Sequence, residues 1–155
     1  WYRFIFDRQE EIALGLGDVL FEECKTEIDD FIAHGFEDVA ISFLTEQNGK
    51  GLLPYYYAPI RNYKVDNSKL GRSIELDGLA EGLGKNSNCL LVVECKYRKT
   101  PFSVAMLEQL KENVSIFGGY TTIDYYLFSK SGFTPEIMKL SDSSLHFISL
   151  DSMFS

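Results

Sequence analysis

Long apolar runs are missing from this sequence. No stretch approaches the roughly 18 consecutive apolar residues that a membrane helix requires, and the first residues are aromatic and charged rather than a basic stretch followed by an apolar one. The expectation is a protein with no membrane partner. Cysteine is scarce: Cys24, Cys89 and Cys95 show no CxxC spacing, which argues against a zinc cage, and their odd number argues against a disulfide framework. Reduced thiols in a cytoplasmic protein are the simplest reading. Histidine is scarcer still, and neither His34 nor His146 has a nucleophile paired with it in the sequence, so both are read as structural. Positive charge is also in short supply, 15 Lys and Arg against 23 Asp and Glu, for a net of −8. Free-standing DNA binders usually carry excess Lys and Arg to displace counterions from phosphates, so this balance counts against tight autonomous DNA binding. A phosphate loop is absent too. Gly78–Lys85 has glycines at the wrong spacing, and Asn86 stands where Ser or Thr is required, so no ATP site is expected within this chain.

What is present is a composition that can fold. The 155 residues are 45% hydrophobic and 14% aromatic, enough for one domain with a sizeable core. The chain begins at Trp1 and is read as a piece of a longer protein. Residues 1–34 form an aromatic opening, WYRFIF, and a helix that would join from an upstream module. Ile12, Leu16, Leu20, Cys24, Ile28 and Phe31 recur at helical spacing, and Gly35 is expected to separate them from a second helix carrying Phe36, Val39, Ala40, Phe43 and Leu44.

The period then changes. Pro54–Val65, rich in Tyr, reads as a strand interrupted at Pro59, and 66–71 as a polar turn. Arg72–Glu81 alternates as a strand does, and 82–88 closes a hairpin. Cys89–Lys96 is a nearly continuous apolar strand that ends in charge, the pattern of a buried central strand. Thr100-Pro101 is expected to cap a helix bearing Val104, Leu107, Leu110, Val114 and Phe117. A strand over 122–130, a short helix from Thr134-Pro135 and a last strand over 145–150 complete the order. The expected class is α/β, a mixed central sheet with helices on both faces.

One constellation carries chemistry. Residues two apart on a strand share a face, so Glu94 and Lys96 point the same way, and a hairpin places Asp77 beside Glu94. Two carboxylates and a lysine at one sheet edge suit Mg²⁺ or Mn²⁺, hard ions that take oxygen ligands and keep several waters. The Cys95 backbone carbonyl is a further candidate ligand. Such an ion polarises a phosphoryl group and activates water, while the lysine orients the attacking water and stabilises developing charge. The competing reading of any E-x-K strand end is a surface ion pair. Glu75 shares Asp77's face and is a weaker candidate than a salt-bridged surface residue. Arg98 and Lys99, next to Lys96, form the best local basic patch, and Gln109 and Lys111 on the following helix are candidates for reaching phosphates. Tyr55, Tyr56 and Tyr57 are candidates for base stacking or for packing.

The pattern Ile74-Glu75-Leu76-Asp77 … Val92-Val93-Glu94-Cys95-Lys96 resembles the core motif of the PD-(D/E)XK, restriction-endonuclease-like nuclease superfamily. That resemblance implies a core of helix, three-strand meander, helix and strand over residues 35–155, preceded by an extra N-terminal helix, the whole forming a single compact unit. It also implies an auxiliary metal or water ligand on the first core helix, where Glu37 matches; Phe21-Glu22 is a rival one helix too early. A likeness over nearly the whole chain, carried by WYRFIF, Gly35-Phe36-Glu37, Gly51-Leu52-Leu53-Pro54, Glu94-Cys95-Lys96-Tyr97-Arg98 and Tyr126–Phe133, is to the uncharacterised C-terminal domain of archaeal-type P-loop ATPases. It implies upstream ATPase and winged-helix domains in the same polypeptide, with DNA reached through that parent. Two functions are therefore expected as alternatives: metal-dependent hydrolysis of DNA phosphodiesters, or an inactive nuclease fold that regulates the ATPase or contacts proteins for it.

Overall fold

The structure, a computed structural model, describes residues 6–67 and 71–154. Most of the WYRFIF segment and the middle of the 66–71 turn lie outside the described residues. The chain divides into two compact units, Trp1–Phe36 and Glu37–Ser155. In order, the elements are α1 (Gln9–Ala13), α2 (Gly17–Gly49), β1 (Arg61–Asn67), β2 (Arg72–Glu81), β3 (Cys89–Lys96), α3 (Val104–Val114), β4 (Thr122–Ser129), α4 (Pro135–Met138) and β5 (Leu145–Ser149). The described residues form an α/β protein with a five-stranded mixed sheet and four α-helices.

The expected break at Gly35 does not occur: α2 is a single helix of 33 residues. Gly35 keeps a negative φ, and a lone glycine in a helix costs only about 1 kcal/mol relative to Ala, too little to stop the pattern on either side.

In the second unit the strands lie in sequence order, β1 to β5. β1–β2 and β2–β3 pair antiparallel; β3–β4 and β4–β5 pair parallel, with α3 and α4 as the connections. β2 alternates as its sequence suggests, with Ile74 and Leu76 buried and Ser73 and Glu75 exposed. β3 and β4 have neighbours on both edges and helices on their faces. Leu90, Leu91, Val92, Val93, Leu127 and Phe128 are accordingly fully buried, and their sequences run apolar without alternation. One face carries the main core, where Leu107, Leu110 and Val114 of α3 pack with Leu76, Leu90, Val92, Tyr125 and Leu127. On the other, Phe43 of α2 meets Phe128 edge-on at 6.2 Å.

Two sequence expectations are corrected. The Tyr-rich segment is not a strand before Arg61. Tyr57 makes one isolated antiparallel bridge to Gly82, and Pro59, which has no N–H to give a ladder, precedes the true strand. Thr100-Pro101 does not cap α3, which begins at Val104 with Ser103 before it. The intervening Phe102 is instead held in a parallel bridge to Phe133, its N–H donating to the Gly132 carbonyl (2.9 Å) and its carbonyl accepting from Thr134 (3.0 Å). The residues leading into the helix are thus kept extended.

The buried polar group Asp124 is held on two sides, one of them by a histidine that is itself stacked on a tyrosine. Tyr57 donates its hydroxyl to one carboxylate oxygen at 2.6 Å, His146 Nε2 lies 3.4 Å from the other, and His146 stacks on Tyr126 at 4.2 Å between centroids. His146 therefore has the structural setting its sequence context suggested, and Tyr57 is buried and unable to stack on a base.

Candidate metal and phosphodiester site

The site is built on the β2–β3 hairpin. Their register pairs Glu81 with Leu90 and Gly78 with Val93. The pairing ends at Gly78↔Val93; Asp77 and Glu94 are the next residues on the two strands, close enough for the Glu94 charge to act on Asp77. Asp77 Oδ2 accepts the Cys95 backbone N–H at 2.7 Å, which ties the two strands together at this step. Lys96, two residues beyond Glu94 on the same face, donates its ammonium to Glu94 Oε1 in a pair whose side chains are mostly buried.

Electrostatics follow from that burial. Desolvation, and then the neighbouring Glu94 carboxylate, push the Asp77 carboxyl up to about 7; the Cys95 N–H pulls the other way, and Glu37 adds to the rise. Burial also raises Glu94, against the opposing pull of Lys96, with Glu37 again raising and Arg98 lowering it. Glu37, which lies on α2 within the second unit, is thus in electrostatic reach of both carboxylates. The Cys95 thiol is driven upward by burial and by Asp77 and Glu94, so it stays a protonated, buried group.

A cleft of about 390 Å³ is lined by Glu94, Lys96, Arg98, Ser103, Met106, Gln109 and Asn113 among others; Asp77 does not line it. Of the predicted nucleic-acid contacts, Arg98 and Gln109 stand on this cleft, and Gln109 donates to Glu112 at 3.0 Å. Lys99 is exposed and does not line it. Lys111 is not brought to the cleft: its ammonium lies 3.8 Å from Asp142 and over the Tyr125 ring, because it leaves α3 on a different side from Gln109. Glu75 is exposed and paired with Lys64 of β1 at 3.1 Å, the surface ion pair anticipated for it. A larger groove of about 670 Å³ lies elsewhere in this unit and contains none of the predicted site residues.

Two residues that the sequence reading passed over position the site. Asn62 sits in the bulge where the β1–β2 register shifts between Arg61 and Tyr63, and its side-chain amide donates to the Asp77 carbonyl at 2.9 Å. Gly78 is the tighter constraint. A Cβ there would meet Val93 Cγ2 at 2.8 Å and Ile60 Cγ2 at 2.9 Å. A glycine inside a strand, next to a candidate ligand, was the signal that could have found it.

Two buried carboxylates with a vicinal backbone carbonyl form a hard oxygen donor set, which fits a small divalent cation that retains water. The desolvation that raises both Asp77 and Glu94, and the Glu94 charge that raises Asp77, are what such a cation relieves. Among the described residues, however, no three His, Cys, Asp or Glu side chains are gathered in a group that could hold a metal. Glu37 therefore joins the pair electrostatically and does not complete a three-ligand cluster.

Residues 1–113 match the model of a family described as archaeal and bacterial proteins of unknown function. The chain belongs to that family, DUF234. No curated protein and no solved structure matches the chain. The DUF234 match ends at the last turn of α3, so it takes in Glu37, Asp77, Glu94, Lys96 and the cleft residues up to Asn113. Among the described residues of this DUF234 chain, no helix is long and apolar enough to cross a membrane.

Proposed function

We propose that the second unit is a nuclease-type domain of the restriction-endonuclease-like kind that hydrolyses nucleic-acid phosphodiesters with Mg²⁺ or Mn²⁺. The observation that carries this reading is the approach of Asp77 to the end of β3, where it accepts the Cys95 N–H at 2.7 Å and feels the Glu94 charge, with Lys96 on Glu94 and a cleft lined by Glu94, Lys96 and Arg98. The order of antiparallel hairpin, helix and parallel strand supports it. Asp77, Glu94 and the Cys95 carbonyl would hold the ion, which would supply Lewis-acid charge next to the scissile phosphate. Lys96 orients the attacking water and offsets charge developing on the phosphoryl oxygens. It is poised for this by its contact with Glu94, since an ammonium leaving a carboxylate for a phosphate keeps one anionic partner throughout. Arg98 at the cleft supplies a bidentate phosphate contact. DNA would be delivered by other modules of the parent, the upstream winged-helix and ATPase domains that the family resemblance implies. The cellular location that agrees with the reduced thiols is the cytoplasm.

The test is calorimetric titration with Mn²⁺, paired with cleavage of duplex, branched and single-stranded DNA by the longest available form of the protein. Asp77→Ala and Glu94→Ala should abolish Mn²⁺ binding. Lys96→Ala should keep it and lose cleavage. Unchanged Mn²⁺ binding by Asp77→Ala would show that the site is misplaced. The two-carboxylate set, short of a third acidic ligand, favours a second reading: an inactive nuclease fold serving as a regulatory or protein-contact module of the ATPase. Absence of Mn²⁺ binding to the wild-type chain, together with absence of cleavage, would select that reading.

A further inference from the structure

The two outer strands of the sheet differ. β1, at one end, has features that keep edge strands from pairing with other chains: the charged residues Arg61, Lys64 and Asp66, and the register shift between Arg61 and Tyr63. β5, at the other end, has neither. Its residues, Leu145-His146-Phe147-Ile148-Ser149, include no Lys, Arg, Asp, Glu or Pro, and its register with β4 runs without a shift.

Half of the β5 backbone is spoken for. Tyr125 pairs with Leu145 and donates its N–H to the Ser144 carbonyl at 2.8 Å. In a parallel ladder that register turns the amides of His146 and Ile148 toward β4 and those of Leu145, Phe147 and Ser149 away from it. The Leu145 N–H goes to the Asp142 carbonyl at 3.1 Å, and the Ser149 carbonyl accepts the Ser152 hydroxyl at 2.7 Å. Among the described residues, nothing bonds the Phe147 N–H and carbonyl, the Leu145 carbonyl or the Ser149 N–H. The edge is also open to approach. The groove of about 670 Å³ is lined by the consecutive residues Leu145–Ile148, together with Phe43 and Gln47 of α2 and the 52–54 segment. His146 and Phe147 lie on opposite faces of the sheet, one stacked on Tyr126 and the other set against Phe133. A groove that takes in both runs along the edge of the strand.

We infer that the free edge of β5 is a self-association surface, which pairs antiparallel with β5 of a second copy about a twofold axis through Phe147. The pairing is isologous, each copy offering the same groups. The Phe147 residues exchange N–H and carbonyl bonds and set their rings side by side across the strands. Each Ser149 N–H reaches the Leu145 carbonyl of the other copy, and His146 falls opposite Ile148. Charge permits this occupant. The first unit holds nine Asp and Glu against Arg3, Arg8 and Lys25, a net of −6 out of −8, which leaves −2 for Glu37–Ser155. β5 itself is uncharged, so at physiological salt little opposes a second copy at this edge. A nucleic acid or an anionic membrane would find no cation on the strand. The inference does not depend on the nuclease reading, because β5 contributes no residue to the Asp77–Glu94 site.

Sedimentation of the whole chain over a wide concentration range tests it. A monomer–dimer equilibrium is expected, with a dissociation constant on the order of micromolar. Ser149→Pro removes an outward N–H at a position where an edge strand tolerates proline, and should weaken the dimer at least about tenfold. Ile148→Lys, which places a charge on the edge, should weaken it by a similar factor of about ten or more. Lys64→Gln, on β1, should leave it unchanged. Circular dichroism establishes that each variant is folded, and if Ile148→Lys is not, Ser149→Pro decides the matter. Amide hydrogen exchange of the wild type needs no variant: the Phe147 and Ser149 amides should exchange more slowly as the protein is concentrated, with no such change in β1. A monomer at every concentration overturns the inference. So does an unchanged dimer in folded Ser149→Pro, or exchange at Phe147 and Ser149 that is independent of concentration.

Discussion

Replacing Asp77 by Asn should make the metal-free protein more stable while removing its ability to bind a divalent cation. The reasoning starts from the folded-state pKa. Asp77 is raised from 3.8 to about 7, chiefly by loss of water and by the Glu94 charge. Because the folded value lies above the unfolded one, the folded state holds this proton more tightly. Its contribution to stability is fully present below about pH 4 and is lost as pH rises to about 7, after which the penalty is constant. About three pKa units at 1.36 kcal/mol each set a ceiling of roughly 4 kcal/mol. Asn keeps an oxygen for the Cys95 N–H but gives up the charge-assisted part of that bond, about 1–2 kcal/mol. The expected net gain at pH 8 in EDTA is therefore about 1–3 kcal/mol, shrinking toward zero or reversing at pH 4. Urea denaturation of both proteins from pH 4 to pH 8, with EDTA and again with Mn²⁺, measures it. In Mn²⁺ the order should invert, because only the wild type gains binding energy. A variant less stable than wild type at pH 8 in EDTA would refute the claim that the Asp77 charge is held at a cost.

Three further outcomes are expected. Gly78→Ala should cost about 1–3 kcal/mol in urea denaturation, since its Cβ has no room against Val93 and Ile60; Gly118→Ala, with nothing within 4 Å of its Cβ, should stay within about 1 kcal/mol of wild type. Tyr57→Phe should cost about 2–3 kcal/mol by leaving the buried Asp124 carboxylate without the hydroxyl that donates to it at 2.6 Å, with Tyr55→Phe as the near-neutral control. Lys96→Met should leave a buried Glu94 without its cation, lowering metal-free stability at pH 8 more than at pH 5 and tightening Mn²⁺ binding in calorimetry.

The strands that matter to the site were legible because burial writes itself into β-sequences. Arg72–Glu81 alternates, Cys89–Lys96 runs apolar into charge, and both have the bounds their patterns suggest. The expectation that Asp77, Glu94 and Lys96 share a face rests on those two strands and the period of two. Helix starts and stops were less legible. Gly35 was read as a break because glycine is a weak helix former, but in the absence of a competing turn its cost is simply absorbed. Thr100-Pro101 carried a genuine helix-start signal that a tertiary contact, the Phe102–Phe133 bridge, overrode. Lys111 and Gln109 are two residues apart on α3 and so cannot face the same cleft, a point that helical geometry alone decides. Asn62 escaped because its role depends on a register shift in β1, and nothing in its immediate sequence announces the bulge.

The hairpin between β2 and β3 has a consequence for how this protein can diversify. The turn that joins them, through Gly82 and the short helical turn Gly84–Asn86, is separated from the Asp77–Glu94 step by the four ladder pairs from Gly78↔Val93 to Glu81↔Leu90. Lengthening that turn would change neither the pairing nor the face on which the carboxylates stand, and each doubling of loop length adds only about 0.6 kcal/mol of closure entropy. A single residue inserted within the ladder would instead turn Asp77 to the opposite face and dismantle the pair. Length variation among relatives is therefore cheap on one side of Glu81 and ruinous on the other, which makes the 82–88 turn the place where a new recognition element can be grafted without retuning the chemistry.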